Sequence, residues 1–279
     1  MHFVKGVWFY PLGNTNTKLR PGVAIQKRFL RLPLWQRFLV GALLLPPLLA
    51  GGTAGAYYLQ LHQQASNETI SNLPLFPTPQ KNHRYLVLAP HCDDETLAVG
   101  GFIAEATRQG ASVSVALMTN GDGFPAAATR ELKEVNLSPA DYVRFAERRQ
   151  AEAKRAEQAL GVDAKNVYFL GYPDRGLRPM WETNWDDIPY RSSYTAHTHS
   201  PYPVTYTPHT TYCGVNLQND LVRLMEEVRP TDVFVTHPAD DHPDHSAAAS
   251  FAQSAFRICT EERKDVWAQT AKMHYYIVH

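Results

Sequence analysis

Two stretches of the chain hold the side chains best suited to chemistry. Pro90-His91-Cys92-Asp93-Asp94-Glu95 follows an apolar run over residues 85–89, and His237-Pro238-Ala239-Asp240-Asp241-His242-Pro243-Asp244-His245 follows Val233-Phe234-Val235. Taken singly, each has a plain structural reading. An Asp-Asp-Glu at a helix start serves as cap and dipole complement, and a His-Pro at a strand end serves as a turn. Taken together, the two clusters place His and Asp at the ends of two buried strands. In an open α/β sheet that edge is where ligands bind. Zinc accepts imidazole nitrogen and carboxylate oxygen, and a catalytic zinc keeps three protein ligands and one position for water. Another divalent transition metal such as Fe2+ suits the same donors. The first cluster offers His91 and one aspartate; the second offers one or two histidines, with His242 and His245 three residues apart. Such a set acidifies water and polarises a carbonyl, and two adjacent aspartates supply a ligand and a base from one turn.

The elements that must position these clusters follow from hydrophobic pattern. Residues 84–89 form a short apolar run of β-formers, suited to a strand covered on both faces. A helix is expected over 95–109, with Leu97, Phe102, Ile103 and Ala106 as its apolar side, Gly100-Gly101 allowing close approach to the sheet, and Gly110 as its stop. Strands are expected at 112–119, 167–170, 231–236 and 273–278. Helices are expected at 139–160, 216–228 and 246–262, the first opened by Ser138-Pro139 with Asp141 to complete a capping box. An Ala-rich loop is expected before Ser138. Between residues 171 and 212 no periodicity survives. That stretch carries Trp181, Trp185, Tyr190, Tyr194, Tyr202 and Tyr206, which suit either stacking on sugar rings or packing of the loop itself. Alternating strands and helices make a Rossmann-like three-layer α/β domain with a mainly parallel sheet and right-handed crossovers.

Composition divides the chain. Seven of its 27 bases precede the first acid, Glu68, leaving 20 bases against 27 acids beyond it. A mildly acidic body argues against a nucleic-acid partner. Residues 38–59 form an uncharged apolar run, about 33 Å long as a helix and so able to span a bilayer. The expected organisation is a basic cytoplasmic segment over 1–37, one transmembrane signal anchor over 38–60, a proline-punctuated linker over 61–82 and a catalytic domain over 83–279. The bases before the run place that domain on the extracytoplasmic side of the cytoplasmic membrane. Pro46-Pro47 interrupts the run, and Ala54-Gly55-Ala56 resembles a cleavage site, so a secreted, cleaved form is the alternative. The last strand meets the end of the sequence, so a truncated C-terminus or a missing short cover is expected. Three cysteines, Cys92, Cys213 and Cys259, are too few for a disulfide scaffold, and Cys92 reads as a core-facing residue.

The first cluster together with His242-Pro243-Asp244-His245 resembles the LmbE-like, or PIG-L, family of zinc-dependent N-acetylglucosamine de-N-acetylases. The landmarks Thr119-Asn120-Gly121-Asp122, Arg149-Gln150-Ala151-Glu152 and Gly171-Tyr172-Pro173-Asp174 extend the resemblance over residues 83–279. Cys92 departs from the proline usual in that family, which bears on the rigidity of the turn and leaves the ligands intact. The resemblance implies His91, Asp94 and His245 as zinc ligands and Asp93 as the base acting on water. It implies His242 as the acid or oxyanion donor, with Asp244 orienting it. Arg149 is implied to reach the group attached to the sugar, and Asp174 to bind sugar hydroxyls. The expected partner is an N-acetylated amino sugar in a glycan or glycoconjugate. The rival reading is a metal-containing sugar-binding or sensory module without turnover, against which the joint presence of Asp93 and His242 argues.

Overall fold

A computed structural model of the protein describes residues 55–57, 59 and 76–278. The basic N-terminal segment, nearly all of the apolar span and most of the linker lie outside the described residues. Among the described residues no helix is long and apolar enough to cross a membrane. The chain divides into two units, Met1–Phe76 and Pro77–His279. In the first, residues 55–57 and 59 are helical.

The second unit is built on five parallel strands: β1 (Arg84–Ala89), β2 (Ser112–Thr119), β3 (Val167–Tyr172), β4 (Asp232–Thr236) and β5 (Lys272–Tyr276). Their order is β3-β2-β1-β4-β5. Val87 pairs with Val115 on one side and Phe234 on the other, so β1 is central and buried along almost its whole length. That burial on both faces is why its sequence is a continuous apolar run rather than an alternation.

Side chains alternate across the sheet into two cores. Leu86 and Leu88 face one layer, made by α4 (Leu177–Glu182), α5 (Gly214–Val228) and α6 (Pro243–Arg257). Tyr85, Val87 and Ala89 face the other, which receives Ile103 and Ala106 of α1 (Asp94–Arg108) and Ala153 of α3 (Pro139–Ala159). The expected three-layer α/β fold is therefore present. Strands β2 and β3 extend from one side of β1 and β4 and β5 from the other. The direction of winding thus reverses between β1 and β4, the strands that carry the two clusters.

Several local expectations change. A helix, α2 (Pro125–Leu132), occupies the expected Ala-rich loop, with Pro125 in its first turn. The α3 capping box forms as expected, Ser138 and Asp141 satisfying each other's backbone N–H. Leu97 does not join the apolar side of α1; it is 70% exposed. Gly100 and Gly101 serve no close approach to the sheet. A Cβ at Gly100 would meet Thr96 and Leu160 at ordinary distances of 3.7 and 3.8 Å, and one at Gly101 would meet nothing within 4 Å. Helix α6 starts at Pro243, three residues before the expected start, because His242 caps it: the ring Nδ1 accepts the N–H of Asp244. The early start puts His245 in the first helical turn.

Candidate metal centre

At the end of β1 the chain turns sharply and is held at both sides. Pro90 O accepts the N–H of Thr119 at the end of β2 (2.9 Å), and Asp94 Oδ2 accepts the N–H of His91 (2.9 Å). Asp94 opens α1 and His245 lies in the first turn of α6, so both arrive on rigid elements. The structure brings three ligand atoms together. His91 Nδ1 lies 3.1 Å from Asp94 Oδ2, His245 Nε2 lies 3.2 Å from the same oxygen, and the two nitrogens are 3.3 Å apart. Metal–ligand bonds of about 2.0–2.2 Å in a tetrahedron place ligand atoms roughly 3.3–3.6 Å from one another, so this triangle needs to open by only a few tenths of an ångström to form one face of such a site. Overlapping sets of donor atoms within 4.8 Å of one another are His91, His242 and His245, and His91, Asp174 and Asp244.

The second nitrogen of each ligand imidazole meets a carboxylate. His91 Nε2 faces Asp174 Oδ1 at 3.3 Å and Asp244 Oδ2 at 3.4 Å, and His245 Nδ1 faces Asp240 Oδ1 at 3.1 Å. Carboxylates in that position favour the tautomer whose inner nitrogen can bind a metal. Asp240, to which the sequence reading gave no role, also takes the N–H of His242 (3.0 Å) and so orders the loop before α6. His237 does ordinary work at the strand end, its Nδ1 accepting the N–H of Ala239 (3.0 Å).

Charge in this pocket is strongly unbalanced. Burial disfavours the His91 imidazolium, yet Asp174, Asp244 and Asp94 hold its pKa well above the ordinary value. Burial also works against ionisation of Asp94, and the hydrogen bonds from His245 and His91 override it, keeping this carboxyl below the usual range. His245 is likewise raised, burial being outweighed by Asp94 and Asp240. His242 is lowered, first by burial and then by the charge of His91. A pocket that draws protons onto imidazoles in this way is the electrostatic setting that attracts a divalent cation.

The cleft above these groups has a volume of about 270 Å³ and is bordered by His91, Asp93, His242, Arg149, Asp174 and Phe124. Asp93 immediately precedes α1 at the mouth of the cleft without a side-chain capping hydrogen bond, its side chain more than half exposed, with Oδ2 3.2 Å from Arg149 Nη2. Arg149 comes from α3 and lies against Gly121, where a Cβ would sit 2.8 Å from the guanidinium. Asp244 is buried. Its carboxylate accepts the N–H of Arg175 (2.6 Å) and of Leu177 (3.1 Å), while its own N–H goes to His242 Nδ1 (3.3 Å). Six of the eight expected site residues thus line one cleft, and the other two, Asp244 and His245, are buried against His91 beneath it. Cys92 is buried and unbridged, with Sγ directed at Thr119 O (3.5 Å) and its thiol pKa pushed well up by burial, as a core-facing residue should be.

The aromatic segment divides. Trp181 and Trp185 pack on each other and on Phe251 of α6, with Trp185 stacked on that ring at 6.1 Å. Tyr202 and Tyr212 are buried. Tyr194 lies 5.7 Å from the guanidinium of Arg175, which borders the cleft. Most of these rings therefore pack the segment onto the domain.

Residues 86–256 match the family model described as GlcNAc-PI de-N-acetylase, PIG-L. The chain is 25% identical over 198 residues to a protein of Bacillus anthracis named "Probable N-acetyl-alpha-D-glucosaminyl L-malate deacetylase 2", covering 68% of this chain and 67% of that one. It is 31% identical over 165 residues to the 1D-myo-inositol 2-acetamido-2-deoxy-alpha-D-glucopyranoside deacetylase of Mycobacterium sp. (strain KMS), covering 58% of this chain and 46% of that one. The chain thus spans about two thirds of the first relative and about half of the second. Among solved structures, the N,N'-diacetylchitobiose deacetylase of Pyrococcus horikoshii is similar at 19% identity and a TM-score of 0.46, covering 77% of this chain and 68% of that one.

Proposed function

The chain belongs to the GlcNAc-PI de-N-acetylase (PIG-L) family, and from that premise we propose that it is a zinc-dependent hydrolase removing the acetyl group from an N-acetylglucosamine-type sugar in a glycan or glycoconjugate. The observation that carries this reading is the triangle of His91 Nδ1, Asp94 Oδ2 and His245 Nε2, with sides of 3.1–3.3 Å, set beneath an accessible carboxylate. The donor set, two imidazoles and one carboxylate, is of the kind that holds a catalytic zinc. Bound there, zinc supplies the Lewis acidity that polarises the amide carbonyl and acidifies water. The names of the two relatives, both deacetylases of N-acetylated glucosamine conjugates, support the substrate class.

The chain's own residues divide the remaining work. Asp93 stands at the mouth of the cleft and takes the proton from the attacking water. His242 Nδ1 is occupied as the acceptor of the Asp244 N–H, which leaves Nε2 to carry a proton. That Nε2–H donates a hydrogen bond to the oxyanion, and the proton that Asp93 took from water passes to the leaving amine as the C–N bond breaks, giving acetate and a free amino sugar. Arg149 bounds the side of the cleft where a group attached to the sugar would lie. The remaining lone pairs of Asp174 are available to sugar hydroxyls. Attachment to the cytoplasmic membrane, with the domain outside it, rests on the apolar run 38–59 and the bases that precede it, and is tested by fractionation and protease access in intact cells.

The deciding experiment measures acetate release from N-acetylglucosamine glycans and conjugates with and without zinc. Zinc-restored turnover after chelation is the expected result. Equal rates in chelated and loaded protein would sink the reading, and zinc binding with no turnover on any such substrate would favour the non-catalytic module.

A further inference from the structure

We propose that Tyr202 and Asp122 are positioning residues that act on His91 through Asp174. The inference rests on the metal-centre reading above and extends it to residues outside the cleft. The Tyr202 hydroxyl donates to Asp122 Oδ2 (3.0 Å), and Asp122 Oδ1 accepts the backbone N–H of Asp174 (2.8 Å). In return Asp174 Oδ2 accepts the N–H of Gly123 (2.9 Å), while its Oδ1 faces His91 Nε2 at 3.3 Å. Two hydrogen bonds thus run in opposite directions between the loop after β2 and the loop after β3. Together they fix both the backbone and the carboxylate of Asp174.

The latch is built at close quarters. A Cβ at Gly123 would lie 3.0 Å from the Asp174 carboxylate and 3.1 Å from Tyr194, so a side chain there would press both aside by a few tenths of an ångström. Tyr202 and Asp122 are both buried, at 2% and 0% exposure. Burying a carboxylate without a cation beside it is costly, and each donor it keeps offsets part of that cost. Burial and the nearby charge of Asp174 push the Asp122 pKa up to about 7, which measures the cost borne at this position. A carboxylate placed at such expense to grip one backbone N–H makes sense if the position of Asp174 matters. Asp174 is the group that faces the outer nitrogen of a metal-ligand imidazole. Outer partners of this kind set ligand orientation, and their loss typically lowers metal affinity or activity about 10–100-fold.

The competing arrangement is that Asp244 alone orients His91, from 3.4 Å and anchored by two backbone N–H groups. The test separates the two. Histidine-labelled protein is read by NMR for the His91 Nε2–H signal and its exchange with water, in metal-free and zinc-loaded forms. Zinc affinity is measured in parallel by competition with a chromogenic chelator. Tyr202→Phe removes only a hydroxyl. It is expected to move the His91 signal, speed its exchange and weaken zinc about 10-fold, with the His274 signal at the far edge of the sheet unchanged. Asp122→Ala is expected to weaken zinc further, toward about 100-fold. Asp122→Asn keeps an acceptor for the Asp174 N–H and is expected to retain wild-type affinity. An unmoved His91 signal and unchanged affinity in Tyr202→Phe would overturn the proposal. So would an Asp122→Asn variant as weak as the alanine one. Failure of the wild-type protein to bind zinc would defeat the functional reading instead, and the metal-free His91 signal would still decide the role of Tyr202.

Discussion

The sheet carries a His–Asp cluster at each end, and only one of them is arranged for chemistry. At the amino edge Asp232, the first residue of β4, lies between two imidazoles. His83 Nδ1 meets Oδ2 at 2.8 Å, His274 Nε2 meets Oδ1 at 2.9 Å, and the Thr231 hydroxyl donates to Oδ2 (2.8 Å). Each oxygen is taken, and the two imidazole contacts staple β4 to β5 and to the segment before β1. At the carboxyl edge the same residue types are inverted in number. One oxygen, Asp94 Oδ2, is shared by two imidazole nitrogens that also face each other, and three further carboxylates stand behind the rings. Residue type therefore does not distinguish a staple from a metal centre. What distinguishes them is whether the donor atoms converge on one point, and whether outer acceptors lock the rings so that inner nitrogens are left to a cation.

The sharpest way to break this contrast is to remove one side chain from each cluster. His245→Ala is expected to lose bound zinc and essentially all turnover, read by metal analysis and acetate release, while the domain stays folded. Asp93→Asn is expected to keep zinc and lose about 10²–10⁴ in kcat, since a base is gone and no ligand is. Asp232→Ala, at the other edge, is expected to leave kcat and zinc content unchanged and to cost about 1–3 kcal/mol of stability by denaturant titration, because it strands donors that had an acceptor. A zinc-deficient Asp232 variant would erase the distinction between the two clusters. The Asp232 contribution also has a defined pH sign. Burial raises its pKa, and the hydrogen bonds from His274, Thr231 and His83 outweigh that and leave it lowered. Its stabilisation is accordingly full above about pH 4 and fades as the pH falls through the depressed value.

The convergent cluster was legible from the chain because its ligand types crowd the ends of two apolar runs. Strand ends on either side of a switch in winding point at one crevice. Asp240 was within view, as a member of the second cluster, but which aspartate meets His245 is decided by the loop's conformation and not by spacing. Asp122 gave no signal of its role, since its partner Asp174 is 52 residues away and the bond is to backbone. The aromatic segment stayed ambiguous for a similar reason. A tryptophan that stacks on Phe251 and one that would stack on a sugar have the same sequence signature, and only packing separates them. Helix α2 carries a helix start in Pro125 and the alanines after it, but only Ala128 of its residues is buried, so no apolar stripe marks it in the sequence. The apolar run that prompted the membrane expectation lies almost wholly outside the described residues.

A third carboxyl grouping tests the smallest difference of this kind, between carboxylates that face imidazoles and carboxyls that face each other. Glu95, next to Asp94, and Glu157 of α3 are both fully buried and in mutual contact. Neither Glu157 oxygen has any other hydrogen-bond partner among the described residues. Burial pushes Glu95 up to about 7, helped by the charge of Asp94 and opposed by its own hydrogen bonds. Burial and the charge of Glu95 push Glu157 up to about 8. The sign is opposite to that of Asp232. Both acids ionise near pH 4.3 in the unfolded chain, so the folded state binds the extra protons and stability falls as the pH rises from about 4.3 through 7–8. Glu157→Gln keeps the shape, removes one charge from the pair and donates a hydrogen bond to Glu95. It is expected to flatten that decline and to gain about 1 kcal/mol at pH 8, roughly 2–4 °C in Tm, with little change at pH 5. A gain of equal size at both pH values would show that packing, and not the shared proton, governs the contact between α1 and α3. The metal centre would then stand on a helix start held by shape alone.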